Sequence, residues 1–411
     1  MLFIYQIILS SVILVSPIIV IIRIIRNKED KLRFREKFCF FSHKRPKGKL
    51  IWFHGASVGE IMSIIPLINK YEKDNKIKNI LITSSTVSSS KIIEKFRFKK
   101  VTHQFFPIDH SFLTNKFLKY WKPDIAIFLE SEIWPMMFMS IKKHKIPLLL
   151  LNARITKRSF KKWLKLKNFS KSIFSLIDHA YPQNIETKYF LKKLGIQKIK
   201  FIGNLKFVDH ERKNTDVLEK KLFKKFKDYK ICVAASTHEP EELFAAQTHK
   251  LLKQKYKNII TIIIPRHIHR VHEITNELNR LNLKTTIHSS KNRNLKETDI
   301  YIVDTFGESK KFYKIATSVF LGGSIVDKGG QNPLEPTRYG AKILHGQFVS
   351  NFKEIYKLLS QLKISKKIST PKQLEKSIEF KKNKKNLNKI KKLGTIILKK
   401  TLIELNRFIL R

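Results

Sequence analysis

Apolar and polar positions along the chain fall into three rhythms. From Leu2 to Ile22 there is no charged residue, and a run of that length is enough to carry a helix across roughly 30 Å of hydrocarbon. Pro17 lies inside it, where a membrane helix tolerates proline at the cost of a mild kink. After Lys49 short apolar runs alternate with longer amphipathic stretches, the pattern of parallel strands joined by helices. The strand-like runs are Leu50 to His54, Asn79 to Thr83, Asp124 to Glu130, Pro147 to Asn152 and Lys198 to Gly203. Between Val208 and Lys230 the chain turns charged, reading Asp209, His210, Glu211, Arg212, Lys213, Asn214, so a domain boundary is placed there. The rhythm resumes with Ile231 to Ala235, Asn258 to Ile264, Asp299 to Val303 and Ser318 to Gly322. Leu387, Ile390, Leu393 and Ile397 then recur at helical spacing and predict a terminal helix. The pattern therefore predicts an α/β protein: an anchor helix over 1–26, a Rossmann-like domain over 27–208, a second over 209–384, and a final helix over 385–411 that packs back on the first domain.

Composition supports two domains, since 411 residues exceed one ordinary core. With 42% hydrophobic and 11% aromatic residues, the chain is not a disordered polyelectrolyte. A formal charge of +50 raises nucleic-acid binding as a reading. The lysines, however, are spread along the whole chain amid abundant Ile, Asn and Phe, which describes a solvated surface, and no nucleic-acid partner is expected. Such a surface is attracted to anionic lipid by about 1 kcal/mol per cation near the headgroups. Arg23, Arg26, Lys28, Lys31, Arg33 and Arg35 follow the apolar run. By the positive-inside rule they put the remainder on the cytoplasmic side of the membrane. No basic stretch precedes the run and no small-residue cleavage site follows it, so an uncleaved single-pass anchor is expected. Cys39 and Cys232 are isolated, which suits a reducing compartment.

Chemistry-bearing residues gather where strands end, which is where open α/β sheets bind ligands. The first group is Trp52, Phe53, His54, Gly55, Ala56, Ser57, Val58, Gly59, Glu60. Glu60 lands at a helix start, either as a structural acid or as a general base whose pKa is raised by partial desolvation. The second ends a buried strand in two carboxylates, Glu130 and Glu132, which alternate positions on extended chain put on the same side. There Glu132 is the better candidate for structural pairing, with Arg154 as partner, and Glu130 for facing the ligand. In the third, Gly203, Asn204, Leu205, Lys206, Phe207, the cation of Lys206 can stabilise developing negative charge.

The second half offers Ala235, Ser236, Thr237, His238, Glu239, then Pro265, Arg266, His267, with Arg266 suited to phosphate. His238, His267 and His269 lack accompanying carboxylates or thiolates at ligand spacing, so no metal site is expected. Four glycines between Gly322 and Gly330 allow close backbone approach to a ligand. Asn332 reads as an N-cap with Pro333 in the first turn, presenting free N–H groups to an anion. Glu335 completes a capping box or accepts from ribose hydroxyls. Asp304, Thr305, Phe306, Gly307, Glu308 form a further strand-end turn able to close over a base.

Together, W-F-H-G-A-S-V-G-E, E-S-E-I-W-P, N-A-R, G-N-L-K-F, A-S-T-H-E, P-R-H, D-T-F-G-E and G-G-S…N-P-L-E-P resemble the Kdo (3-deoxy-D-manno-octulosonic acid) transferase family in order and spacing over most of the chain. That resemblance implies a GT-B glycosyltransferase with two Rossmann-like domains facing a cleft, CMP-Kdo as donor, a lipid A precursor as acceptor, and no cofactor. It implies Glu60 as general base, with Glu130 and Lys206 stabilising the transition state. Pro265, Arg266, Phe306, Gly307, Glu308, Asn332, Pro333, Leu334 and Glu335 match the CMP-binding positions. The chain departs from the family pattern at Gly330, Gln331, where a glycine-histidine pair is usual, and in the turn Thr83, Ser84, Ser85, Thr86, Val87, Ser88.

Overall fold

The computed structural model describes residues 2–26, 28–209 and 218–410, so residues 210–217 of the charged segment between the predicted domains lie outside the described residues. The chain divides into two compact units, Met1–His210 with Gly394–Arg411, and Glu211–Leu393.

The first unit is built on a six-stranded parallel sheet of order β3-β2-β1-β4-β5-β6. Its strands are β1 Leu50–His54, β2 Asn79–Ser84, β3 Val101–Phe105, β4 Ile125–Leu129, β5 Leu148–Ala153 and β6 His179–Pro182. β1, β4 and β5 are buried at every position, as expected of strands covered on both faces, which is why they read as unbroken apolar runs. β3 and β6, sequences VTHQF and HAYP, carry polar residues and gave no such signal. Lys198–Gly203, expected as a strand, makes only the isolated bridge between Ile199 and Ala180. The aromatic core centres on Trp52, which lies edge-on to Phe128 with centroids 5.2 Å apart. Trp121, Phe117 and Phe138 are fully buried beside it.

Helix Leu2–Ile25 leans on this unit along one face. Tyr5 donates a 3.0 Å hydrogen bond to Asp109, and Ser16 and Val20 are buried, while Leu14, Ile18, Ile21 and Ile25 are exposed. Proline at 17 removes the N–H that would bond the Ile13 carbonyl, and the Ser16 hydroxyl donates to that carbonyl instead, at 2.7 Å. Among the described residues no single helix is long and apolar enough to cross a membrane. Tyr5–Ser11 and Ile13–Ile25, bent by 49°, pass that test together by length and composition. The break falls one turn before Pro17, where the ring crowds the preceding carbonyl.

The terminal helix Lys384–Ile409 contributes its second half to the first unit. Gly394 packs so closely that a Cβ there would meet the Phe207 carbonyl at 2.6 Å. Lys200 pairs with Glu404 at 2.7 Å, and Tyr71 donates to Asn406 at 3.3 Å.

The second unit carries a seven-stranded parallel sheet of order β13-β12-β11-β7-β8-β10-β9. The strands are β7 Lys230–Thr237, β8 Ile259–Pro265, β9 Thr285–Ile287, β10 Ile300–Ile302, β11 Ser318–Leu321, β12 Lys342–His345 and β13 Ser365–Lys367. Side chains alternate between two cores: Val233, Ala235, Ile262 and Ile264 join Tyr301 and Phe312, whereas Ala234 and Ile263 join Phe320, Ile274 and Leu278. β9, β12 and β13 are three or four residues long and partly polar, too short for a periodicity signal.

Candidate functional site

In the first unit the turn after β1 brings Glu60 back toward the strand it follows. Ser57, in extended conformation, caps helix Val58–Lys73 by accepting from the Glu60 N–H, and Glu60 Oε2 accepts from Ala56 N–H at 2.7 Å and Ser57 N–H at 3.2 Å. This is a reciprocal capping box. It depends on Gly55, where a Cβ would meet Leu129 at 2.9 Å and the Glu60 side chain at 3.1 Å. The structural reading of this acid is met by the cap, which occupies Oε2, while Oε1 makes no hydrogen bond among the described residues. Burial, then the neighbouring charges of Glu132 and Glu130, push the Glu60 carboxyl up to about 7 against the pull of its two backbone N–H donors.

Glu130 follows β4 with a φ of 49°, and its backbone is bonded on both sides to the β5 chain, through Leu151 O and Arg154 N–H. The strand thus ends before the two acids, so Glu130 and Glu132 do not alternate along extended chain. Glu130 Oε1 lies 2.6 Å from Lys206 Nζ and 3.4 Å from Asn152 Nδ2. Lys206 sits in the 3-10 turn Leu205–Phe207, capped by Asn204, and Asn152 Oδ1 accepts from Leu205 N–H at 3.0 Å. Asn152, itself at a φ of 53°, thereby clamps the acid to the turn that carries the cation.

Glu132 accepts from Trp134 Nε1 at 2.9 Å and lies 3.3 Å from His54 Nε2. The His54 ring is fully buried, stacked on Phe106 at 3.8 Å, and its other nitrogen lies 2.9 Å from the Thr83 hydroxyl, which also accepts from Trp52. Burial lowers the His54 pKa, and a neutral ring fits these contacts, with Nε2–H directed at the Glu132 carboxylate and Nδ1 at the Thr83 hydroxyl. Glu132 is thus structurally paired, with His54 and Trp134 among its partners. His54 and Thr83 stand inside sequence segments singled out above, but no local pattern indicates that a histidine in an apolar strand meets a carboxylate beyond the end of the neighbouring strand, β4.

In the second unit the glycine-rich segment after β11 is organised by a residue that sequence reasoning passed over. Glu241, fully buried, accepts four backbone N–H groups: Gly323 at 2.6 Å, Ser324 and Ile325 at 2.9 Å, and His238 at 3.0 Å. Gly322 must be glycine, since a Cβ there would meet Ser236 O at 2.4 Å and Glu241 at 2.6 Å. The Glu241 signal lay in its place, one turn beyond the β7 strand end.

Pro265 ends β8, and Arg266, exposed, donates its N–H to Thr237 O at 3.0 Å, holding the P-R-H turn against the A-S-T-H turn. Phe306 projects into solvent at 92% exposure, beside Gly307 with a φ of 87°. Glu308 pairs with Lys311 at 2.7 Å, and Asp304 accepts from Ser289. Helix Leu334–Thr337 has only four residues; Asn332 Oδ1 accepts from Leu334 N–H at 3.1 Å, and Pro333 stands just before the helix. Glu335 turns toward Lys310 at 3.9 Å instead of completing a capping box, which ties the helix Ser309–Ile315, just after the Phe306–Glu308 turn, to the Asn332–Glu335 segment. So short a helix has little aligned dipole, and an anion held here relies more on side-chain cations.

The matching family model, 3-deoxy-D-manno-octulosonic-acid transferase (kdotransferase), covers residues 32–209. The chain is 34% identical to the 3-deoxy-D-manno-octulosonic acid transferase of Rickettsia bellii, over 88% of this chain and 86% of that one. It is 28% identical to the enzyme of the same name from Haemophilus influenzae, over 86% and 84%. Among solved structures, UDP-GlcNAc 2-epimerase from Neisseria meningitidis shares the fold, with a TM-score of 0.51 at 14% identity over 86% of this chain and all of that one. By sequence, then, the chain belongs to the 3-deoxy-D-manno-octulosonic acid transferase family and is a glycosyltransferase.

Proposed function

We propose that the chain is an inverting transferase that moves Kdo from CMP-Kdo to a lipid A precursor, lipid IVA, in lipopolysaccharide core biosynthesis at the cytoplasmic face of the inner membrane. The observation that carries this reading is Glu60, whose carboxylate is held at Oε2 by two backbone N–H groups, is unbonded at Oε1 among the described residues, and has its pKa pushed up to about 7. Those are the properties of a general base near neutral pH.

Glu60 takes the proton of a glucosamine hydroxyl on the acceptor. The hydroxyl oxygen forms its bond to the anomeric carbon of Kdo while the bond from that carbon to the phosphate oxygen breaks on the opposite face, inverting the centre. CMP departs with the electron pair. Lys206, steadied by Glu130 and Asn152, offsets negative charge near the sugar carboxylate. Arg266, with the segment Asn332, Pro333, Leu334, Glu335, holds the leaving phosphate and ribose, while Pro265, Phe306, Gly307 and Glu308 line the base. Helix Leu2–Ile25 and the basic surface hold the enzyme at anionic lipid.

The test is mass analysis of the lipid formed by purified full-length protein from CMP-Kdo and lipid IVA. A product heavier by one or more Kdo units supports the proposal. Competition by UDP in place of CMP, or no transfer, overturns it.

A further inference from the structure

The Glu241 carboxylate already occupies the N–H groups of Gly323, Ser324 and Ile325. A glycine-rich turn of this kind ordinarily offers such groups to a ligand phosphate. Here those three donors are consumed by the protein's own anion, so the phosphate needs others.

One unused donor stands at the same turn. His238 Nε2 is buried and has no hydrogen-bond partner among the described residues. The residue's backbone N–H is fixed on the same Glu241, so the ring is presented by the turn and not by a mobile tether. A Cβ on Gly323 would meet His238 Cδ2 at 3.4 Å, and Gln331 Nε2 and Lys328 Cβ at 3.3 Å, so three donor-bearing side chains converge on one glycine. The His267 ring lies 5.5 Å from that of His238, and Arg266 precedes it. The electrostatic surroundings of His238 are Glu241, His267, Lys328 and Arg266. Glu241 keeps its charge but directs it at four backbone N–H donors, and Lys328 and Arg266 stand near the ring as opposing cations. A buried ring nitrogen without a partner is costly, and the cost is recovered when an acceptor arrives.

We propose that His238 is a further phosphate-contacting residue of the nucleotide site, donating its Nε2–H to a non-bridging phosphate oxygen of the cytidylate. The contact transfers no proton and is present in the donor complex and in the CMP complex alike. It rests on the CMP-Kdo reading above.

The experiment is calorimetric titration of CMP into the full chain and into His238→Ala and His238→Gln, with the melting temperature of each ligand-free protein. Expected is a loss of CMP affinity of about 10- to 100-fold in His238→Ala, the worth of a hydrogen bond to a charged group. The ligand-free melting temperature stays unchanged, and the amide N–H of His238→Gln gives partial recovery. Unchanged CMP affinity in His238→Ala overturns the inference while leaving the donor reading intact. A loss matched by a lower melting temperature and not restored by His238→Gln also overturns it, as a structural role. If His238→Ala does not fold, His238→Gln and His238→Asn decide by the same pair of readouts, with retention in Gln and loss in Asn expected and equal affinities overturning. No CMP binding by the unsubstituted chain is a different result, and removes the donor reading itself.

Discussion

Lys206 Nζ lies 2.6 Å from Glu130 Oε1, and the acid side of that pair is almost fully buried. Lys206→Met leaves Glu130 as a buried acid without its cation, and we expect a loss of about 2 kcal/mol in unfolding free energy by denaturant titration. The double variant Lys206→Met/Glu130→Gln regains part of that loss. Under the proposed role of the cation, neither variant is expected to support transfer, which the lipid product assay reads.

With Glu60 as the proposed general base, substitution by Gln or Ala is expected to lower the transfer rate by about 10²- to 10⁴-fold, read from the lipid product. In the unsubstituted enzyme the transfer rate rises with pH through about 7, as Glu60 gives up its proton. Stability runs the opposite way. A carboxyl raised above its unfolded value binds more protons in the native state, so its contribution is lost as pH climbs from the ordinary glutamate range to about 7. Glu60→Gln is therefore more stable than the parent by about 1 to 3 kcal/mol at pH 8, and much less so at pH 5, in thermal melts at both values.

Glu241→Gln keeps one carbonyl oxygen but turns an amide N–H₂ toward N–H donors. With four backbone groups depending on it, the expected loss is about 2 to 4 kcal/mol in the second unit, together with CMP affinity, measured by denaturation and by titration.

Phe306 is exposed, so Phe306→Ala leaves the melting temperature unchanged. If its ring stacks on the cytosine, CMP affinity falls by about 1 to 3 kcal/mol, and Phe306→Trp retains it.

Removing residues 2–26 takes away the apolar helix but leaves most of the basic surface. The shortened chain is expected to sediment with anionic vesicles at low salt and to leave them at high salt, while the full chain stays bound at both.

How much of this was legible in sequence depended on burial. β1, β4, β5, β7 and β8 are covered on both faces and announced themselves as apolar runs. His103 and Gln104 in β3 hid a strand because their polar atoms are buried beside the elements that cover it, which no local pattern reports. At the candidate site, the turn carrying Glu60 was visible from Gly55 and Gly59, and the Ser57 cap was not. The length of the helix after Asn332 was not, since it closes at Thr337 within a single turn. Glu241 escaped because its role is set by the N–H groups of residues more than eighty positions away.

The first unit is not contiguous in sequence: Gly394 presses on Phe207, and Leu405 and Glu404 are buried against it. A ribosome making this protein releases the second sheet entirely before the segment that finishes the first has emerged. The surface awaiting that helix around Phe207 and Gly203 stays uncovered throughout, a natural stretch for a chaperone to shield.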